Sequence, residues 1–274
     1  MKIGVVGGIL DRFTLEEALG ICQEVGIESH ELGYAAESHQ GTCRLDSSEG
    51  IGHAKDMFAS YGISVGAIGA WNDFVQTDPR ALEQQVRHVR DAVDLAVSFG
   101  CEVVRVFGGD PKKDIPAEEC PALIVHAFKE CVPYAAEKGV ILAMENHGRI
   151  TNDAEVQLRI IEDVASSHLR LAADTSNYHW YGHPVPVVER YLREIAPLVE
   201  HTHIKDGHAR KGKMSDYTAL APGEGDVPLG VLLEMLKGRG YSRPLFIEYE
   251  GAEDLRTSLA KGLTHLRALW EGMS

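Results

Sequence analysis

Four glycines, Gly26, Gly62, Gly100 and Gly139, recur at intervals of 36, 38 and 39 residues, each between a helical run and a strand-forming one. The junctions read Val25-Gly26-Ile27, Tyr61-Gly62-Ile63, Phe99-Gly100-Cys101 and Lys138-Gly139-Val140. Glycine is what a helix C-terminus favours, because the left-handed conformation costs it nothing. The interval is the length of one strand, one helix and two loops. Helix-start signals agree: Thr14 and Glu17 can form a capping box, and Asp78-Pro79 puts a capping side chain before a proline at the first helical position. Leu82, Val86, Val89 and Val93 then follow at helical spacing toward Gly100. Pro133 predicts a kink or break in the helix between Leu123 and Lys138.

Strands are predicted at Lys2–Val6, Ile27–Leu32, Ile63–Ile68, Glu102–Phe107, Val140–Glu145, Leu169–Asp174, His201–Lys205 and Leu245–Glu250, each followed by a helical segment. Such strict alternation predicts an α/β fold, a single (β/α)8 barrel formed by residues 1–274 as one domain. An open doubly wound sheet would carry a Gly-x-Gly-x-x-Gly run after its first strand, and Val6-Gly7-Gly8 does not supply one.

With 41 acidic against 27 basic residues the net charge is −14, which repels polyanions and argues against nucleic acid as a partner. No stretch approaches a membrane span, and Met1-Lys2-Ile3-Gly4-Val5-Val6 enters a strand without a basic leader, so a cytoplasmic protein is expected. The five cysteines are odd in number and lack a Cys-x-x-Cys spacing, which suits reduced thiols. A homo-oligomer is compatible with these features.

Four segments of the C-terminal half each end in one metal-liking side chain: Leu-Ala-Met-Glu145, Leu-Ala-Ala-Asp174, His-Thr-His203 and Phe-Ile-Glu248. Three carboxylates and one imidazole complete a shell for a hard divalent cation, Mn²⁺ first, with Mg²⁺, Co²⁺ or Zn²⁺ also suited. Side chains alternate along a strand. Ala143 thus shares a face with Glu145, Ala172 with Asp174, His201 with His203, and Phe246 with Glu248. All four candidates can therefore point inward at the strand tops, where barrel chemistry is placed. Taken singly, each acidic residue could equally cap a helix.

These residues carry a resemblance. Glu145-Asn146-His147-Gly148, Asp174-Thr175-Ser176-Asn177, His203-Ile204-Lys205-Asp206, Gly223-Glu224-Gly225-Asp226 and Ile247-Glu248-Tyr249-Glu250 together resemble the xylose isomerase-like barrels, which include the ketose 3-epimerases. The resemblance implies that Glu145, Asp174, His203 and Glu248 bind one divalent metal. It also implies that Glu145 and Glu248 are the catalytic acid–base pair. The ketose 3-epimerases place a histidine three residues beyond the metal aspartate, where this chain has Asn177. They place a glutamate six residues beyond the first metal glutamate, where this chain has Thr151.

Lys205, His147, Asn177 and Arg105 are candidate substrate contacts, with an ion pair inside the barrel the favoured role for Arg105. Glu31, Trp71 and Asn72 are read as pocket wall. Arg210-Lys211-Gly212-Lys213, the basic cluster after the seventh strand, could hold an anionic group, Arg210 foremost, or be a solvated loop. Gly223-Glu224-Gly225-Asp226 reads as a turn plus helix N-cap.

The expected activity is isomerisation or epimerisation of a ketose or keto-acid sugar, a small polar carbohydrate-like substrate, through an enediolate. The same site could instead expel water from a keto-polyol or keto-inositol, and a non-catalytic sugar-binding barrel is the remaining alternative. A barrel endonuclease of abasic DNA would need further histidines, but Asn177 and Asp216-Tyr217-Thr218 stand at two of their places.

Overall fold

The computed structural model describes residues 1–35, 37–209 and 214–273. Eight parallel strands close into a barrel: β1 (Ile3–Val6), β2 (Ser29–Tyr34), β3 (Ser64–Ala70), β4 (Val103–Val106), β5 (Ile141–Glu145), β6 (Leu169–Asp174), β7 (Val199–Ile204) and β8 (Leu245–Ile247). Each pairs with its sequence neighbours, and β8 closes on β1 through Ile3↔Leu245, Gly4↔Phe246 and Val5↔Ile247. The helices that follow them are α1 (Leu15–Val25), α2 (Ser48–Tyr61), α3 (Pro79–Phe99), α4 (Cys120–Glu137), α5 (Ala154–Val164), a short α6 (Asn177–Tyr181), α7 (Val185–Ile195), α8 (Leu229–Gly238) and α9 (Leu255–Gly272). No helix among the described residues is long and apolar enough to cross a membrane.

The repeating glycines do what their spacing predicts. Gly26, Gly62 and Gly100 cap α1, α2 and α3 in the left-handed region at φ 88°, 68° and 72°. Thr14 and Glu17 form the capping box of α1, and the Asp78 side chain accepts from Arg80 N at the start of α3. Two expectations are corrected. Pro133 does not break the helix: it lies inside an uninterrupted α4, which its packed face, including Ile124, Phe128 and Ala135, holds together despite the lost amide. Asp226 is not an N-cap: Pro228 precedes α8, while the Asp226 carboxylate lies 2.7 Å from His208 Nδ1. The turn before it is built by buried Asp206, whose carboxylate accepts from the amides of Gly223, Gly225 and Val227.

Alternation along the strands divides the apolar residues into two layers. Leu142, Met144, Leu171, Ile204 and Ile247 face the helices, whereas Val6, Ala67, Val103, Ala143, Ala172 and Phe246 fill the barrel interior. The Phe246 ring occupies space that two strands leave open. A β-carbon on Gly4 would stand 2.6 Å from Phe246 Cδ1, and one on Gly66 would stand 2.9 Å from its Cζ. Gly4→Ala is therefore expected to destabilise the fold by about 1–3 kcal/mol through overpacking, with Phe246→Leu restoring part of the loss. Urea denaturation of the single and double variants measures this, and additive losses would disprove the contact.

Outside the barrel, His30 is fully buried against His39 and Phe58, and neither of its ring nitrogens has a hydrogen-bond partner. Burial, then the neighbouring His39, lowers its pKa from 6.5 to about 3. The unfolded chain binds the proton first, so this group is neutral for stability above 6.5 and costs stability progressively as pH falls toward 3. His30→Phe should flatten the fall in melting temperature across that window, and an unchanged slope would show that other groups govern it.

Candidate metal centre

At the C-terminal mouth of the barrel the tips of β5 to β8 bring Glu145, Asp174, His203 and Glu248 together. One ligand atom from each lies within 4.8 Å of those of the other three. Glu145 and Asp174 end their strands, His203 lies one residue inside the end of β7, and Glu248 follows β8. That last strand is shorter than the predicted Leu245–Glu250, yet the Glu248 amide still donates to Ile204 O across the 3.1 Å gap to β7, which fixes the side chain's position.

Local bonds aim each donor. Asp174 Oδ1 accepts from the amides of Ser176 at 2.8 Å and Asn177 at 2.9 Å, at the start of α6, so Oδ2 is left to face the cluster. Asn146 ties β5 to β6, its Nδ2 donating to Asp174 O and its Oδ1 accepting from Asp174 N. Asn177 Nδ2 donates to Glu145 Oε1 at 3.3 Å. After these bonds are made, Glu145 Oε2, Asp174 Oδ2, His203 Nδ1 and Glu248 Oε2 are all buried without a hydrogen-bond partner. The Lys205 ammonium, near Asp174 Oδ2 and Glu248 Oε2, and the Arg105 guanidinium, near Glu145 Oε2, compensate these oxygens as ion pairs, and a divalent cation among the four would add to that compensation.

Beneath the cluster lies a carboxylate that sequence reasoning assigned to the pocket wall. Glu31, 2% exposed, sits at the barrel axis under His203 and does not line the pocket. His203 Nε2 and His201 Nε2 each lie 2.6 Å from Glu31 Oε2, and Arg105 Nη2 donates to Glu31 Oε1 at 3.1 Å. An ionised carboxylate only accepts, so both Nε2 atoms carry protons and His203 turns Nδ1 toward Glu145 and Glu248. That nitrogen is 3.5 Å from Glu145 Oε1 and 3.2 Å from Glu248 Oε2. The signal available in sequence was a carboxylate on the inward face of β2. A register irregularity between His30 and Glu31 accompanies it.

The charges are strongly coupled. Burial opposes the His203 cation, but Glu31, Glu145 and Glu248 outweigh it and raise the imidazole well above its ordinary pKa. Burial likewise opposes ionisation of Glu248, yet Lys205 and His203 hold it below the carboxylate range. Glu145 is lowered against burial by His203 and then Arg105. Asp174 goes the other way: burial, with Glu248 and Glu145 adding to it and Lys205 opposing, pushes it up to about 7. The carboxylates of Glu31, Glu145, Asp174, Glu248 and Glu250 outnumber the permanent cations Arg105 and Lys205, which leaves negative charge for a divalent ion to balance.

Lys205 Nζ lies 3.2 Å from Asp174 Oδ2, 3.1 Å from Glu248 Oε2 and 3.0 Å from Glu250 Oε2. Arg105 pairs with Glu31, and its Nε stands 3.4 Å from Glu145 Oε2. Both also line the pocket, as do His147, stacked on Phe107 at 4.2 Å, and Asn177. Trp71 is in the wall as read. Asn72 is not, because it is buried in a two-way clamp on the Phe107 backbone. Thr151 is also turned away, its hydroxyl 3.0 Å from Glu145 O and 2.9 Å from His147 O. Arg210, Lys211, Gly212 and Lys213 lie outside the described residues. Sequence reasoning did not identify Trp180, Tyr217 and Tyr249, which complete an aromatic rim around a cavity of about 790 Å³.

A closed parallel barrel with a polar pocket at its C-terminal mouth defines a (β/α)8 barrel, one whose mouth gathers side chains that could hold a metal ion. The match to the xylose isomerase-like TIM barrel covers residues 19–269, and the chain belongs to that family. It is 26% identical over 193 residues to an uncharacterized protein of Methanocaldococcus jannaschii, spanning 66% of this chain and 64% of the relative, less than two thirds of that protein's length. Among solved structures, a D-tagatose 3-epimerase-like protein superposes with a TM-score of 0.79 at 21% identity, covering 99% of this chain and 97% of the other. A xylose isomerase-like TIM barrel protein from Mycobacterium smegmatis in complex with magnesium gives 0.80 at 17% identity, covering 100% and 98%.

Glu31→Gln keeps the shape of the buried acceptor but removes the charge that orients His203. It is expected to weaken divalent-metal affinity by about 10–100-fold with the far-ultraviolet circular dichroism unchanged. Calorimetric titration with Mn²⁺ measures this; equal affinity in the folded variant would show that Glu31 does not position the imidazole.

Proposed function

We propose that this chain, acting as one domain over residues 1–274, is a divalent-metal-dependent isomerase or epimerase of a ketose or keto-acid sugar. The observation that carries the reading is the convergence of four buried donor atoms that make no hydrogen bond, one each from Glu145, Asp174, His203 and Glu248. When bound there, a divalent ion supplies Lewis-acid polarisation of a carbonyl and its neighbouring hydroxyl. Three carboxylates with one imidazole favour Mn²⁺, with Mg²⁺, Co²⁺ and Zn²⁺ also accommodated. The magnesium complex of the mycobacterial neighbour is in keeping with such a site.

Glu145 and Glu248 are assigned as the proton-transfer pair. They come from β5 and from the end of β8, on opposite sides of His203 in the strand order, and both are held in the ionised form. One removes the proton from the carbon beside the carbonyl, leaving an enediolate; the other, first protonated by solvent, delivers that proton to the opposite face or to the adjacent carbon, and the first releases its own to water. Lys205, with three carboxylates within 3.2 Å, lies where it can turn to a substrate oxygen. Asn177, His147 and Arg105 are the further proposed substrate contacts, and Arg210 remains one on sequence grounds alone.

Incubation with substrate in D₂O is expected to place deuterium on the reacting carbon. Glu145→Gln and Glu248→Gln should each lower kcat by roughly 10²-fold or more, the scale for losing a general acid or base, with metal content measured in each variant. Full turnover at full metal occupancy would refute the two-glutamate assignment. A product lighter by one water would convert the reading to a lyase.

A further inference from the structure

Trp71 follows the last residue of β3 at the mouth of the pocket and is 54% exposed. Leaving an indole in water forgoes the burial that its size offers, and a ring laid on it would recover part of that burial. The ring is nonetheless held in place. The Arg105 guanidinium carbon stands 4.9 Å from the indole centroid, and the Phe107 ring meets it edge-on at 5.7 Å. Two glycines leave it room: a β-carbon on Gly33 would lie 3.4 Å from Nε1, and one on Gly8 3.6 Å from Cζ2. A fixed, half-exposed aromatic face loses little freedom when something stacks on it.

We infer that the pocket takes a keto-sugar carrying a second, uncharged ring, a disaccharide or glycoside, whose non-reacting ring lies against Trp71. This rests on the isomerase reading above. Position supports it first: Arg105 touches the Trp71 ring on one side and stands 3.4 Å from Glu145 Oε2 on the other. One guanidinium thus separates the aromatic face from a carboxylate assigned to proton transfer, so a ring joined directly to the reacting sugar reaches it. Volume supports it next. A hexose of twelve heavy atoms fills on the order of 200 Å³ at interior packing density, whereas the cavity holds about 790 Å³. Chemistry selects the ring: a pyranose presents an apolar C–H face suited to an aromatic plane, and its hydroxyls can turn to Asp11 and Arg12 at the rim. Among the described residues Asp11, Glu250 and Glu253 outnumber Arg12 at this rim, which disfavours an anionic extension.

The test uses the Mg²⁺-loaded, ¹⁵N-labelled protein titrated with D-fructose, with lactulose and with phenyl β-D-glucoside, following the Trp71 indole N–H assigned through Trp71→Phe. Lactulose or the phenyl glucoside is expected to shift that resonance and to bind roughly tenfold more tightly than fructose, the upper end for one aromatic contact. Trp71→Ala should collapse this ratio toward one, and Trp71→Phe should restore most of it. Equal affinities in the wild type, or a ratio that survives Trp71→Ala, overturn the inference. So does a Trp71 shift that follows protein concentration rather than sugar, since that would give the face to a second copy of the chain. Deuterium uptake into fructose without any two-ring preference would sink the second-ring subsite and spare the isomerase. A Trp71-dependent preference with no deuterium uptake into any ketose tested would do the reverse.

Discussion

Glu31 is the carboxylate on which the interior of the barrel is organised. It accepts from Arg105, His201 and His203 at once, and all of these groups are buried. Removing one member of such a set leaves another charge unpaired away from water, at a cost of about 3–5 kcal/mol. The set spans β2, β4 and β7, so it fixes the relative positions of strands that are not adjacent. Its reach extends further, because Arg105 also approaches Glu145 and packs over Phe107 and Trp71, while His203 presents its other nitrogen to the four-donor cluster. The floor of the site and its upper wall thus share one electrostatic framework.

Above that framework the strand tips are locked by short-range bonds that leave selected atoms free. Asn146 bonds reciprocally with the Asp174 backbone, and the amides of Ser176 and Asn177 take one Asp174 oxygen and leave the other. Thr151 is committed to the Glu145 and His147 backbone. Where the ketose 3-epimerases carry a longer glutamate, this chain therefore has a short side chain that stabilises the loop after β5 instead of entering the pocket. Asn177, in place of their histidine, does enter it, and reaches Glu145 Oε1. The two positions thus offer the pocket different side chains from theirs.

Much of this was legible in the chain itself. The spacing of Gly26, Gly62, Gly100 and Gly139 and the caps at Thr14 and Asp78 follow from local backbone preference, which needs no tertiary contact to act. The inward set of Ala143, Glu145, Ala172, Asp174 and His203 follows from the two-residue period of a strand, so the sequence alone placed these side chains on the interior face at the barrel mouth. Pro133 and Asp226 misled for a related reason. Local preference was read correctly at each, but the packed face of α4 carried the helix through the break expected at the first, and His208 drew the second away from α8.

What the sequence determined is the order of elements and the face each side chain takes, because both depend on neighbours a few residues away. What only the tertiary structure decided is which of those side chains meet. Glu31 and His203 are 172 residues apart and come within 2.6 Å only when β2 and β7 close around one axis. The exposure of Trp71, the retreat of Asn72 and Thr151, and the oxygens of Glu145, Asp174 and Glu248 left without hydrogen bonds are likewise set by which chain segments have already taken the available partners. Hydrogen-bond saturation and burial are properties of the whole assembled barrel, and no local pattern of residue types encodes them.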